Sequence, residues 1–224
     1  MRITGAARLA GVIGWPIAQS LSPLLHGYWL DVHKIDGALV PLGVRREDFA
    51  GVTKALGHAG FRGASVTVPH KQAAFALADL SDAAAKAAGA ANLLVFHNDG
   101  HTEARNTDVP GLSASLKEAL GADALKTKMA VLLGAGGAAR ASVLALDALG
   151  AGEIRILARS PDRAAQLARE LGPVTSAKLV PGALSSWPQA APGAGLLLNA
   201  TSAGMEHKNE LDHPLASLPA GATV

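Results

Sequence analysis

A glycine-rich turn in the second half of the chain has residue types suited to binding a phosphate group. Five apolar residues, Met129 to Leu133, are too few for a helix but suit a buried parallel strand. They lead into Gly134, Gly136 and Gly137, after which a helical pattern begins. Glycines let the backbone approach a pyrophosphate, and a helix start offers free N–H groups and the positive end of its dipole. The turn is therefore a candidate dinucleotide site, although glycines that merely end a strand give the same pattern.

Hydroxyl, lysine and carboxylate side chains near predicted helix starts are candidates for anion binding and proton transfer. Ser20 and Ser22 lie where a loop enters a helix, and hydroxyls with free N–H groups can hold a carboxylate there. Lys71 stands near a later helix start, whose dipole opposes its positive charge and biases it toward proton transfer. Simpler interpretations stay open: Ser22 as the N-cap of its helix, Lys71 as a solvated lysine, and Thr107 or Asp108 as a cap.

The residues after the strand that follows the glycine turn bear on the choice of dinucleotide. An NAD-binding fold places an acidic residue at the end of this strand for the ribose 2′-OH, but here Arg159 and Ser160 stand there. Arg159, with Arg163 one turn into the next helix, can hold a 2′-phosphate because a guanidinium group offers several donors. Asp162 is better explained as a first-turn acid of that helix. This pattern favours NADP over NAD.

The composition excludes several classes of protein. Of 224 residues, 49% are hydrophobic and 4% aromatic, which suits helices covering a sheet rather than a nucleic-acid surface of stacked rings. A formal net charge of +2 suits an anionic small ligand and does not by itself argue for DNA binding. The lack of cysteine excludes disulfides and cysteine-ligated metals. His97 and His101 flank a hairpin signal and are expected at the surface, so no metal site is predicted.

Strand and helix patterns alternate along the whole chain. Strands are predicted at 9–13, 38–44, 64–68, 92–96, 103–105, 129–133, 154–158 and 195–199. One helix is predicted to begin at Pro23 with Ser22 as its N-cap, and others are predicted to cover 46–56, 71–79, 82–88, 108–120, 138–149 and 161–171. Residues 181–193, rich in Pro, Gly, Ser and Ala, are predicted to form a surface loop. The alternation favours an α/β fold with mostly parallel sheets.

A domain boundary fits best near Asn106, giving domains of residues 1–106 and 107–224. Residues 218–224 resemble a loop that leads into a further strand, so the second domain is expected to be incomplete at its C-terminal end. No window offers some 18 apolar residues, and glycines and a proline interrupt the only segment that resembles a secretory signal. We therefore expect a cytoplasmic protein that does not span a membrane.

Several short motifs occur in the order in which the shikimate/quinate dehydrogenase family has them. They are Gly11 to Ile17, Ser20 to Pro23 with His26, Val66 to Lys71, Gly89 to Asn92, Asn106 to Asp108 with Gly111, Gly134 to Arg140, and Asn199 to Met205. Ordered motifs spread over residues 11–205 do not coincide by chance. The chain thus resembles the shikimate dehydrogenases of that family.

This resemblance implies an N-terminal α/β substrate-binding domain with a mostly parallel sheet, followed by a Rossmann-type dinucleotide-binding domain. It also implies reversible reduction of 3-dehydroshikimate to shikimate with NADPH, in aromatic amino-acid biosynthesis. By matching position, Lys71 and Asp108 would form the catalytic pair. The substrate would be bound by Ser20, Ser22, Thr67, Lys71, Asn92 and Asp108. The cofactor would be bound by Gly134, Ala135, Gly136, Gly137, Ala138, Arg159, Ser160, Arg163, Asn199, Thr201, Ser202 and Met205.

The chain departs from the family pattern near the substrate motifs. Ser65 stands where the family usually has Asn, and Leu93 where it has Thr; Gln19 and Gly27 replace His and Asn. A lost amide or hydroxyl changes which ring oxygens can be bound, so a quinate or aminoshikimate dehydrogenase remains an alternative. A non-catalytic binder of shikimate-like acids or of a dinucleotide is a further alternative. The family also continues into C-terminal helices that bring a Tyr and a Gln to the site, which are expected to be missing here. We expect a monomer or homodimer without a nucleic-acid or membrane partner.

Overall fold

Two separate β-sheets organise the chain, one in each of two units. The computed structural model describes residues 3–122, 124–203 and 215–224. The chain divides into two compact units, with the boundary between Thr107 and Asp108. In both units strands alternate with helices, as the sequence pattern predicts, and the predicted α/β class is confirmed.

The first unit is built on a six-stranded sheet. Its strands are β1 (Arg8–Gly14), β2 (Gly37–Gly43), β3 (Gly63–Val66), β4 (Leu80–Ser81), β5 (Leu93–Phe96) and β6 (Thr102–Arg105). Its helices are α1 (Ser22–Val32), α2 (Phe49–His58), α3 (Lys71–Leu77) and α4 (Ala83–Ala88). The strand order is β2-β1-β3-β5-β6-β4. Three neighbouring pairs are parallel, whereas β5 runs antiparallel to both β3 and β6. The sheet is mostly parallel with one reversed strand.

One face of this sheet carries the core of the first unit. Ile13, Val66 and Leu94 point to that face and are fully buried against Phe49 of α2 and Ala74 of α3. Alternation along each strand turns the intervening residues to the other face. The core thus fixes where each strand ends, and with it the loops that follow.

The second unit is built on a four-stranded, fully parallel sheet. Its strands are β7 (Met129–Leu133), β8 (Glu153–Ala158), β9 (Lys178–Ala183) and β10 (Ala194–Asn199). Its helices are α5 (Asp108–Leu120), α6 (Gly137–Ala148), α7 (Pro161–Leu171) and α8 (Trp187–Ala190). The strand order β10-β7-β8-β9 places the first strand of the unit inside the sheet, as in Rossmann-type folds.

Burial on both faces explains why β7 is apolar throughout. Ala130 and Leu132 pack into a cluster with α6 and α7, whereas Val131 and Leu133 pack on the opposite face with Trp187. Strands of parallel sheets covered on both sides read as continuous hydrophobic runs. The five-residue apolar stretch singled out in the sequence is such a strand.

The structure corrects several expectations. Ser22 is not the N-cap of α1 but its first residue; Leu21 takes the cap position and makes no side-chain capping bond. Residues 181–193 are not a surface loop: Pro181 lies within β9, and Trp187, 2% exposed, begins α8. The two-residue strand β4 was not predicted. Other boundaries differ from prediction by a few residues.

The closing segment of the chain does approach the second sheet. The Leu197 amide donates to the Thr223 carbonyl at 2.8 Å, and Thr223 forms an isolated parallel bridge with Leu196 of β10. This agrees with the predicted loop leading toward a strand. Among helices within the described ranges, none has the length and apolar character needed to cross a membrane.

Candidate active site

In the first unit, the loops that carry the predicted substrate residues meet at one edge of the sheet, which is formed by the carboxyl ends of β1 and β3. β1 and β3 are parallel and in register at Ile13 and Val66, so the loops after both strands leave from the same edge. Because β5 runs the other way, its first residues lie at this edge too, and the Val66 amide donates to the Asn92 carbonyl at 2.7 Å. The reversed strand therefore brings Asn92 to the ends of the parallel strands, next to the loop that carries Thr67.

Gly14 is what lets the first two loops approach so closely. A Cβ atom at Gly14 would lie 2.5 Å from Cγ2 of Thr67 and 3.2 Å from the Val68 carbonyl oxygen. Backbone bonds tie the loops together: the Trp15 amide donates to the Val68 carbonyl at 3.0 Å, and the Thr67 amide to the Ile13 carbonyl at 2.9 Å. The half-buried Thr67 is thereby held beside the end of β1.

Ser20 and Ser22 belong to the segment that joins β1 to α1. The Ser20 hydroxyl oxygen accepts a bond from the Ser22 amide at 3.3 Å, and both residues are half-buried. Ser22 is followed by Pro23 in the first turn of α1. Hydroxyls beside the first turn of a helix are suited to a carboxylate, because free amide groups and the helix dipole both favour an anion there.

Lys71 is the first residue of α3, where the sequence predicted it near a helix start. Its carbonyl oxygen accepts a bond from the Ala91 amide at 2.8 Å, which places its backbone beside the segment that ends in Asn92. Lys71 is half-buried, at the same edge of the sheet as Thr67. The edge therefore combines hydroxyls, an amide and an ammonium group, a set suited to a small acid that carries hydroxyls.

The neighbouring His70 anchors the start of α3. It is 1% exposed, its ring stacks on Phe49 at 4.6 Å, and its Nε2 lies 2.8 Å from the Val44 carbonyl oxygen. Burial lowers the pKa of His70, the bond to Val44 opposes that shift, and the charge of Arg46 adds to it. A neutral ring that donates from Nε2 to the carbonyl fits this geometry.

Asn92 and Thr107 bind each other through two reciprocal hydrogen bonds. The Asn92 side-chain amide donates to the Thr107 hydroxyl at 2.8 Å, and the Thr107 backbone amide donates to Oδ1 of Asn92 at 2.8 Å. Asp108 follows directly in the chain and is the first residue of α5. The position of the chain immediately before Asp108 is thus set by Asn92.

In the second unit, the glycine turn has the geometry of a dinucleotide site. Gly134 has a φ of +112°, and a Cβ there would lie 2.9 Å from the Ala200 carbonyl oxygen. Gly136 is exposed and takes the N-cap position of α6, and a Cβ there would meet nothing within 4 Å. Ala135 joins these two glycines, and Gly137 and Ala138 form the first turn of α6. The turn leaves open space directly before a helix start.

The other predicted cofactor residues follow neighbouring strands of this sheet. Leu133 pairs with both Leu157 and Asn199, so the carboxyl ends of β7, β8 and β10 lie side by side. Arg159 is exposed just after β8, and Ser160 is the N-cap of α7, whose first turns carry the exposed Arg163. Ligands of open α/β sheets bind at this edge.

The segment after β10 forms a tight turn around one side chain. Oδ1 of Asn199 accepts from the Thr201 amide at 2.9 Å and from the Thr201 hydroxyl at 2.8 Å, and Thr201 Oγ1 accepts from the Ala203 amide. The half-buried Ser202 lies within this turn. Met205, the last predicted cofactor residue, lies outside the described residues.

Two buried polar residues near the substrate edge were predicted only as parts of motifs, without a role. They are His70 and Asn106, each 1% exposed. The sequence signals such a buried polar residue only by a charged or amide side chain next to a motif residue, because its hydrogen-bond partners lie far away in the chain. For the described part of the chain, no group of three or more His, Asp or Glu side chains is placed to hold a metal ion.

Comparison with known proteins matches both units to one family. Residues 12–94 match the shikimate dehydrogenase substrate binding domain, and residues 116–206 match the shikimate / quinate 5-dehydrogenase family. The shikimate dehydrogenase (NADP(+)) of Paramagnetospirillum magneticum is 45% identical over 226 residues, which span 99% of this chain and 79% of that protein.

Solved structures agree. Shikimate dehydrogenase from Aquifex aeolicus superposes with a TM-score of 0.84 at 26% identity, over 99% of this chain and 79% of its own. Shikimate 5-dehydrogenase from Thermus thermophilus, in complex with NADP(H) and shikimate, gives a TM-score of 0.77 at 34% identity, over 96% of this chain and 76% of its own. The chain belongs to the shikimate dehydrogenase family.

Proposed function

We propose that this chain catalyses the NADPH-dependent, reversible reduction of 3-dehydroshikimate to shikimate, a step of aromatic amino-acid biosynthesis. The observation that carries the proposal is the edge of the first sheet, where Ser20, Ser22, Thr67, Lys71 and Asn92 belong to adjoining segments. Hydroxyls near a helix start suit the carboxylate of the substrate, while Thr67 and Asn92 can bind its ring oxygens. Relatives that share this chain's family carry the same activity in their names.

Lys71 and Asp108 are the proposed catalytic pair. During reduction, the ketone carbon gains a hydride and its oxygen becomes an alkoxide that needs a proton. Lys71 donates that proton from its ammonium group, whose positive charge also stabilises the developing negative charge. Asp108, the first residue of α5, is proposed to bind the substrate beside the reacting oxygen. In the oxidation direction, Lys71 accepts the proton from the hydroxyl.

NADP fits the residues of the second unit. The open space at Gly136 and the first turn of α6 suit a pyrophosphate, and Arg159, Ser160 and Arg163 follow the adjoining strand, where a 2′-phosphate would be held. When bound, NADPH supplies the hydride. The turn at Asn199, Thr201 and Ser202 is the proposed boundary of the nicotinamide site.

The proposal also assigns a role to each part of the chain. Residues 1–106 are the substrate-binding and catalytic domain, and residues 107–224 are the NADP-binding domain. The reaction is expected in the cytoplasm, with the protein as a monomer or a homodimer. Light scattering of the purified protein would distinguish the two oligomeric states.

Turnover measurements test the proposal. The protein is incubated with shikimate or quinate and with NADP or NAD, and reduced nicotinamide is followed by its near-ultraviolet absorbance. We expect the largest rate with shikimate and NADP. No signal from any of the four pairs would refute a shikimate or quinate dehydrogenase function and leave an aminoshikimate dehydrogenase or a non-catalytic binder.

The role of Lys71 is tested by Lys71→Ala. Loss of a positioned proton donor should lower kcat by about 10²- to 10⁴-fold with a much smaller change in KM. Lys54→Ala, which removes an exposed lysine from α2, is the matched control and should keep normal kinetics. A Lys71→Ala enzyme with a near-normal rate would refute the proposed proton transfer.

A quinate dehydrogenase is the second candidate, and one observation favours testing it. Ser65 and Leu93, which depart from the family pattern, lie directly opposite each other on β3 and β5. They therefore form one local change beside Asn92 rather than two separate changes. A larger kcat/KM for quinate than for shikimate would decide for this candidate.

A further inference from the structure

Asn106 is a buried amide that ties together three segments of the first unit. Its side chain, 1% exposed with the rest of the residue, donates from Nδ2 to the Ala90 carbonyl oxygen at 2.9 Å. Its backbone amide faces both carboxylate oxygens of Asp82, at 3.4 and 3.3 Å. Buried amides that are bonded on several sides have little freedom to move, because each lost bond leaves a polar group unpaired.

Asp82 extends this connection to a helix. Its Oδ1 accepts from the Ala85 amide at 2.6 Å and so caps α4. The same carboxylate holds the backbone of Asn106, while the Asp82 amide donates to the Ala104 carbonyl at 3.0 Å. The end of β6 is therefore fixed against the start of α4.

The segment held by Asn106 is the one that carries the proposed substrate residues. Ala90 precedes Ala91, whose amide donates to the Lys71 carbonyl at 2.8 Å. Asn92 comes next and exchanges two hydrogen bonds with Thr107. A shift at Ala90 would therefore be transmitted to the backbone of Lys71 and to the side chain of Asn92.

We propose that Asn106 is a positioning residue for the dehydrogenase reaction. Asn106 is 1% exposed and acts through others: it sets the place of Asn92 and the start of α3, and it directly precedes the Thr107–Asp108 segment. This inference rests on the proposed function. A misplacement of about 1 Å in such a site can cost on the order of 100-fold in rate, so the amide is important although it touches no substrate.

The test compares Asn106→Asp and Asn106→Ala with the unchanged protein. Asp keeps the shape of the side chain but removes the amide donor, whereas Ala removes the side chain. We expect kcat/KM for shikimate to fall by about 10- to 100-fold in both, with a raised KM for shikimate. The KM for NADP should stay within about twofold, because the glycine turn belongs to the second unit.

Phe96→Leu is the control for a loss of stability alone. Phe96 lies in the core at the far end of β5, so its truncation should lower the midpoint of urea unfolding without changing the kinetics of the folded protein. Rates are expressed per folded molecule from the unfolding curve of each variant.

Two outcomes overturn the inference while the proposed function stands. In one, the Asn106 variants unfold more easily but keep wild-type KM and kcat per folded molecule, as Phe96→Leu does. In the other, the KM values for shikimate and NADP rise together. If the unchanged protein turns over none of the substrate and cofactor pairs, the proposed function fails and this inference fails with it.

Discussion

Replacing Gly134 by Ala should both destabilise the second unit and weaken NADP binding. Gly134 directly follows β7, and its φ of +112° is a backbone angle that residues with a side chain rarely adopt. The added methyl would lie 2.9 Å from the Ala200 carbonyl oxygen, which is backbone and therefore cannot simply rotate away. The Gly134 amide also donates to the Leu157 carbonyl at 2.8 Å, so the turn cannot move without losing that bond.

The expected magnitude follows from these contacts. A residue held at an unfavourable backbone angle costs about 1–3 kcal/mol. The reduced freedom of the unfolded chain on changing Gly to Ala offsets about 0.4–1 kcal/mol of this. The contact with Ala200 adds to the cost, so we expect the free energy of unfolding to fall by about 1–3 kcal/mol. A displaced turn should also weaken NADP binding by about tenfold or more, which corresponds to about 1.4 kcal/mol.

Gly136→Ala is the matched control, because it adds the same methyl group two residues away. Gly136 has a φ of −100°, and its Cβ would meet no atom within 4 Å. Alanine lowers the conformational entropy of the unfolded chain, which stabilises the fold, but it is a poorer N-cap than glycine, which destabilises it. Because these two effects oppose each other, the free energy of unfolding should change by less than about 0.5 kcal/mol. Its methyl group would still occupy the proposed pyrophosphate space, so NADP binding should weaken.

Urea unfolding and titration with NADPH, followed by its fluorescence, measure the two effects separately. A Gly134→Ala protein as stable as the unchanged one would refute the argument from backbone angle and contact. A Gly136→Ala protein with unchanged NADP affinity would contradict the assignment of the turn to the pyrophosphate.

Two further predictions concern Arg159 and His70. Arg159→Ala should raise the KM for NADPH by about 10- to 100-fold through loss of charged hydrogen bonds, and leave the KM for NADH unchanged. Arg169→Ala is the control. Equal effects of Arg159→Ala on the KM values for NADPH and NADH would contradict a 2′-phosphate contact. The pKa of His70 is lowered in the folded protein, so below about pH 6.5 the unfolded chain binds the extra proton and stability should fall as the pH decreases. His70→Phe should unfold with a weaker pH dependence between pH 5 and 7, and an unchanged dependence would show that His70 is not responsible.

Elements with strong local signals were predicted to the residue. α5 begins with Asp108, an acid that favours a helix start, and α7 begins with Pro161, whose fixed φ suits the first helical position. The positive φ of Gly134 likewise matches the turn expected from the glycines. In each case the decisive interaction lies within a few residues of the signal.

Residues 181–193 show where local signals fail. Pro181 and Gly182 suggested a loop, but β9 is an edge strand, where one side needs no amide donor and proline is tolerated. Trp187 packs on the face of the sheet that is opposite to α6 and α7, with residues of β7, and this contact exists only once the sheet has folded. The composition of residues 181–193 favours a loop, but strand pairing and burial in the folded sheet outweigh this local preference.

The candidate site also has one part that local sequence signals predict and another part that they do not. Its residue types follow from short motifs, whereas the connection through Asn106 does not, because Ala90 and Asp82 lie 16 and 24 residues away in the chain. The strand reversal at β5, which brings Asn92 to the substrate edge, is also a long-range result of strand pairing. Spacing along the chain carries no information about either.

Because β5 is reversed, the hairpin turn that joins β5 to β6 lies at the end of the sheet away from the substrate edge, where the sequence can be changed. The turn between His97 and His101 closes this hairpin, and Phe96 pairs with Thr102 just before it. At about 3.3 Å per residue, the turn lies roughly 15 Å from Asn92 along the strand. Insertions, affinity tags or attached fluorophores at Asp99 and Gly100 should therefore be accommodated, giving the protein a handle for immobilisation that leaves the substrate edge untouched.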